Sequence, residues 1–189
     1  MIRKSIFGLI LIVISVILLS ACTAKGKNTP PTPAESTATL SNFSAEDLEG
    51  NEVDESIFSP YKLTMINIWG TYCDPCIGEM PDLAEIAKEY EEKGVQVIGI
   101  PIDTVVSRDG ALDEEQVELA REIVEETGAD YTHLLPSADL IEAKLINVTV
   151  IPETFFVDSM GEFVGKSYAG ARSKEDWIKI IEGLLQEVK

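Results

Sequence analysis

The chain has little of what most metal centres, disulfide scaffolds and nucleic-acid binders need. In 189 residues it carries three cysteines, at 22, 73 and 76, and one histidine, His133. Three cysteines cannot staple a miniprotein or build a tetrathiolate zinc site, so their placement matters more than their number. Basic residues are scarce, 15 against 33 acidic, for a net charge of -18. Such a surface repels phosphate backbones and anionic lipid headgroups, which excludes nucleic acid as a partner and polybasic membrane docking. Glycine and proline are too few for a fibrous or disordered chain. With 45% apolar residues, the length suits one core.

The apolar residues divide into one continuous run and a set of periodic segments. Met1-Ile2-Arg3-Lys4 is a short basic start, and Ser5 to Leu19 is an almost unbroken apolar stretch. That is the length of a secretory h-region and short for a membrane span, which needs roughly 18 to 20 residues. It ends in Leu19-Ser20-Ala21-Cys22, which resembles a bacterial lipobox. The expectation is a signal peptide over 1–21 and an acylated Cys22 as the first mature residue; the alternative is an uncleaved anchor helix. Removing 1–21 takes away Arg3 and Lys4 and no acid, leaving 13 basic against 33 acidic residues, net -20. Residues 22–39 are rich in Pro and Thr and carry no large apolar side chain; the 17 from Thr23 onward read as a linker of roughly 20 to 25 Å average reach.

Residues 40–189 read as one domain. Phe43 to Val53 suggests a hairpin turning at Gly50-Asn51. Leu63–Trp69 and Val95–Ile102 are β-rich apolar runs. Pro75–Lys93, Asp113–Thr127 and Ala138–Leu145 have helical spacing, and Ser173 with Asp176 opens a last helix through Trp177, Ile181 and Leu184. A turn at Ser159-Met160-Gly161 joins two further strands, Thr154–Asp158 and Glu162–Val164. The alternation predicts an α/β fold with a mixed central sheet covered by helices on both faces.

Cys73-Asp74-Pro75-Cys76 stands between a predicted strand and a predicted helix. The helix N-terminus, with about half a positive charge and unpaired N–H groups, stabilises a thiolate at Cys73. Thiolate is the attacking species in disulfide exchange. Haem attachment needs a His where Ile77 stands, zinc needs two more ligands, and a bridge across two residues would stabilise little chain. The pair therefore reads as a redox-active dithiol.

Asn67-Ile-Trp-Gly-Thr-Tyr-Cys73-Asp-Pro-Cys76, with Pro81 beyond it and Val150-Ile151-Pro152-Glu153-Thr154-Phe155 downstream, resembles the thioredoxin superfamily. More narrowly it resembles the membrane-tethered, extracytoplasmic ResA/TlpA group of thiol-disulfide oxidoreductases. The resemblance implies a thioredoxin-like fold with an N-terminal β-hairpin and an insertion between its βαβ and ββα halves. It makes Cys73 the attacking and Cys76 the resolving cysteine. Pro152 would be a cis-proline that binds substrate with the Ile151 backbone. Trp69 reads as wall and packing of the site and as a substrate contact. Asn67 stands where cytosolic thioredoxins carry a buried acid, and Glu79 of Glu79-Met80-Pro81 takes that role; the alternative is a solvated helix glutamate. Ionised Asp74 and Glu79 would destabilise the thiolate and tilt the pair towards reduction.

The resemblance implies no cofactor and no metal. It implies reduction of disulfides in exported proteins such as apocytochrome c or envelope and spore assembly proteins, re-reduction by a membrane thiol donor, and a lipid anchor on the extracytoplasmic face of the cell membrane. The rivals are a disulfide-donating oxidase and a copper-binding, metallochaperone-like lipoprotein. A peroxidase fits less well, because Thr71-Tyr72-Cys73 lacks the Thr-x-x-Cys pattern. His133 and Trp177 read as structural.

Overall fold

A computed structural model of the chain describes residues 39–188; the expected signal peptide and Cys22, and all of the expected linker but Thr39, lie outside them. Two short strands, β1 (Ser44–Glu46) and β2 (Glu52–Asp54), form the expected N-terminal hairpin. Its turn rests on Asp47, whose carboxylate accepts from the Glu49 and Asn51 backbone N–H groups, and on Gly50 at φ 84°.

The central sheet has the order β4-β3-β5-β6. Strands β3 (Leu63–Trp69) and β4 (Val95–Pro101) run parallel, while β5 (Glu153–Asp158) and β6 (Phe163–Ala169) are antiparallel to their neighbours. Every residue of β3 is buried, so β3 reads as a nearly continuous apolar run rather than an alternation. Edge strand β6 is mostly exposed. Lacking apolar alternation after Val164, it runs five residues further than its pattern predicts.

Helices α1 (Asp74–Tyr90) and α4 (Lys174–Leu184) cover one face. There Leu63, Met65, Leu83, Ile86, Phe156, Trp177 and Ile181 form one core. Helix α3 (Ala138–Ala143) and the hairpin cover the other, over Ile66, Ile68, Ile98, Ile100, Phe155 and Val157. Helix α2 (Glu114–Thr127) lies in the segment between the two halves and packs Val117, Ala120 and Ile123 near the cysteines. The mixed sheet covered on both faces is as expected.

Helix boundaries follow the caps. Asp113 accepts from the Glu115 and Gln116 N–H groups, and Ser173 from Asp176, so α2 and α4 begin where their capping residues place them. Helix α1 ends at Tyr90, three residues early, because one 3-10 turn over Glu91–Lys93 tightens the chain into Gly94 at φ 84°. Helix α3 stops at Ala143, since Lys144 leaves the helical region at φ -143°. At the chain's entry into the domain, Leu40 N–H donates to Gly161 C=O in the β5–β6 turn.

Candidate active site

Parallel strands β3 and β4 end together, and the chain leaves β3 through Gly70 into the first turn of α1. A side chain at Gly70 would come within 2.9 Å of Ile151 Cδ1, so glycine permits the close approach of the 150–152 loop. Cys73 is the N-cap of α1 and its N–H donates to Gly70 C=O at 3.0 Å. Pro75 occupies the first turn, where its missing N–H costs nothing. Cys73 and Cys76 form a disulfide with Cα atoms 5.3 Å apart. Cys73 keeps 7% of its surface exposed and Cys76 none. Cys73, at the helix mouth, is therefore the more accessible of the two.

Beneath the disulfide Glu79 is buried, 4% exposed, and the solvated-helix alternative fails. Its Oε1 accepts from Asn67 Nδ2 at 2.9 Å, and its Oε2 from Arg172 N–H at 3.1 Å and Trp177 Nε1 at 3.3 Å. Burial raises the Glu79 pKa above the ordinary carboxylate range, while these three donors and the Arg172 charge oppose the rise. One helical turn separates Glu79 from Cys76, a spacing that puts the two side chains on the same face of α1.

Behind the disulfide lies Trp69, fully buried, with its indole N–H donating to His133 Nδ1 at 3.2 Å. His133 Nε2 stands 3.0 Å from Ala129 C=O, which fixes the proton on Nε2. The ring occupies space that β4 leaves at Gly99, where a Cβ would lie 2.1 Å from Nδ1. Burial lowers the His133 pKa to about 4, so it stays neutral and accepts from Trp69. The expectation that Trp69 meets substrate needs correction: with no exposed surface it supports the cysteines from below. His133 and Trp177 are buried, as expected of structural residues.

Ile151-Pro152 is a cis peptide at the start of β5. Ile151 is half-buried in the cluster that holds both cysteines. Gly170 N–H donates to Pro152 C=O, so the 170–172 loop joins Pro152 to Glu79. Among the described residues, the Ile151 N–H and C=O make no backbone hydrogen bond.

Two parts of the site escape a reading of the sequence. Asp103, after β4, accepts from Thr71 N–H and, at 2.6 Å, from its hydroxyl, and the Gln116 amide lies 2.9 Å from that hydroxyl. Thr154 Oγ1 is 3.0 Å from Asn67 Nδ2. These partners stand 32 to 87 positions apart, so no local spacing reveals them. The one visible signal was Asn67, a polar amide inside a mostly apolar strand.

Known proteins resemble this chain in sequence and fold. The profile of the AhpC/TSA family matches residues 37–164. This chain belongs to the AhpC/TSA family. Its similar relatives include the thiol-disulfide oxidoreductase ResA of Bacillus cereus, 33% identical over 150 residues, 78% of this chain and 75% of that one. ResA of Halalkalibacterium halodurans is 27% identical and covers 78% and 74%. Among solved structures, a thiol:disulfide interchange protein of Chlorobium tepidum covers 78% of this chain and 95% of its own, at 24% identity and TM-score 0.63. StoA from Bacillus subtilis covers 75% and 97%, at 17% identity and TM-score 0.57. This AhpC/TSA family member thus has the thioredoxin-like fold and is a thiol-disulfide oxidoreductase working through its C-x-x-C pair.

Proposed function

We propose that the protein is a lipid-anchored reductase on the extracytoplasmic face of the cell membrane that reduces disulfides in exported proteins. Apocytochrome c and proteins of envelope or spore assembly are the substrate classes. The observation that carries this reading is the asymmetry of the pair: Cys73 at the helix mouth, in one cluster with Ile151, whose backbone makes no backbone hydrogen bond among the described residues, and Cys76 sealed one helical turn from a buried carboxyl.

An extended substrate segment pairs with the Ile151 backbone and brings its disulfide to Cys73. The Cys73 thiolate attacks one substrate sulfur; the substrate disulfide breaks and a mixed disulfide forms. Cys76 then gives its proton to Glu79 and attacks Cys73 Sγ, closing the Cys73–Cys76 bond and releasing the substrate's second thiol. A membrane thiol donor returns the pair to the dithiol. The electrons are carried by the two cysteines, and Glu79 holds the proton.

Charge supports the direction. A carboxylate about 7 Å from a thiolate at an effective dielectric of about 20 raises its energy by about 2 kcal/mol, more than the 0.3 to 1 kcal/mol of a helix terminus. A less stable dithiolate form makes a weaker oxidant. Residues 1–21 serve as signal peptide, Cys22 as lipid anchor, 22–39 as tether and 40–189 as the working domain; among the described residues no helix is long and apolar enough to cross a membrane.

The test is trapping in the native cell with Cys76→Ser, which leaves the mixed disulfide unresolved. Exported proteins captured on Cys73 in the membrane fraction are the expected result. A soluble, unacylated protein that captures nothing would refute the reading.

A further inference from the structure

The Asn67 side chain is buried between Glu79 and Thr154, and among the described residues one of its two ends has no partner. Nδ2 faces Glu79 Oε1 and Thr154 Oγ1, whereas Oδ1 is sealed from solvent without a hydrogen bond. A buried amide oxygen without a donor is costly and calls for an explanation.

The three hydrogen bonds to Glu79 describe its charged form, since an ionised carboxylate only accepts. Once the carboxyl takes up a proton, that proton needs an acceptor. Oε2 faces only donors, the Arg172 and Trp177 N–H groups. The proton therefore belongs on Oε1, which points at Asn67. A half-turn of the amide exchanges its nearly isosteric oxygen and nitrogen. Oδ1 then accepts from Glu79 Oε1–H and from the Thr154 hydroxyl, which reverses from acceptor to donor. One end of the amide is unpartnered in either orientation, so the choice between them is set by the proton on Glu79.

We propose that Asn67 is a positioning residue whose amide turns over as Glu79 gains or loses a proton, holding the carboxyl in place in both states. The proposal rests on the reading that Glu79 accepts the Cys76 proton. It gives the neutral residue at position 67 a task, in place of the acid that this strand position lacks. The other titratable or charged groups acting on or influenced by Glu79 are the Arg172 guanidinium ahead of α4 and the buried Tyr131 hydroxyl, whose own pKa the Glu79 charge helps to raise; Cys76 stands one helical turn earlier on α1.

The experiment uses the full chain with Cys73 held in a mixed disulfide with thionitrobenzoate, and follows release of the dye by Cys76 against pH. The wild type should show an acid limb where Glu79 titrates. Glu79→Gln should abolish that limb. Asn67→Leu removes a bond to the charged carboxyl and a weaker one to the neutral acid, so the limb should move up by about one pH unit, a tenfold slower release on it.

A limb unmoved in Asn67→Leu but absent in Glu79→Gln overturns the proposal and leaves the Glu79 reading intact. A limb retained in Glu79→Gln overturns that reading instead. If Asn67→Leu does not fold, the side-chain amide resonances of Asn67 in the wild type decide. They should shift with the Glu79 titration and hold still in Glu79→Gln, and pH-independent resonances would overturn the proposal.

Discussion

Glu79 and His133 are both buried titratable groups, yet burial moves their pKa values in opposite directions because the charged form is the base of one and the acid of the other. Replacing Glu79 by Gln removes a negative neighbour from the dithiol. The thiol pKa values should then fall by about 1.5 units while resolution slows near neutral pH, measured by thiolate absorbance and stopped-flow exchange. The expected drop in both pKa and rate separates a proton acceptor from a mere electrostatic neighbour. For His133 the folded pKa, about 4, lies below the unfolded value near 6.5. Its contribution is present above pH 6.5 and is lost as pH falls through the window from 6.5 to 4. The loss amounts to about 3 kcal/mol. Since His133 is the single histidine, denaturant unfolding of wild type and His133→Gln should show a stability gap that narrows across that window. A pH-independent gap would mean that the ring is not held neutral by burial.

At the scale of elements, β3 and the start of α1 were legible because they announce themselves locally. Seven apolar-rich residues stop at Gly70, and Cys73-Asp74-Pro75-Cys76 opens a helix that Leu83, Ile86 and Tyr90 continue. The contacts between elements were not legible. That His133 lies over Gly99, that Asp103 secures Thr71, and that the loop after β6 presents Arg172 N–H to Glu79 all depend on which strands become neighbours. A glycine in the middle of an apolar strand was the visible trace of one such contact. Gly99→Ala places a methyl group where His133 Nδ1 now lies. The variant should lose about 1 to 3 kcal/mol of stability and displace Trp69 from His133, seen as a shift in tryptophan emission. Retained stability with unaltered emission would show that the ring moves aside without disturbing the floor of the site.

For the molecule as a whole, the fold class was readable from the alternation of strand and helix patterns, and the reacting pair from the position of two cysteines. Direction of electron flow is a property of the entire site and belongs to no motif. It depends on the helix terminus that favours the Cys73 thiolate, the buried Glu79 that opposes it, and the surface charge of -20 expected once 1–21 are removed. On the proposed reading, the balance of these terms makes a dithiol that gives electrons away. The most direct test is the reduction potential of the Cys73–Cys76 couple, obtained by equilibration with glutathione or dithiothreitol buffers at neutral pH. A reductase should lie nearer to thioredoxin's roughly -270 mV than to the roughly -120 mV of a strong periplasmic oxidant, and a value above about -180 mV would contradict the account and make the protein a donor of disulfides.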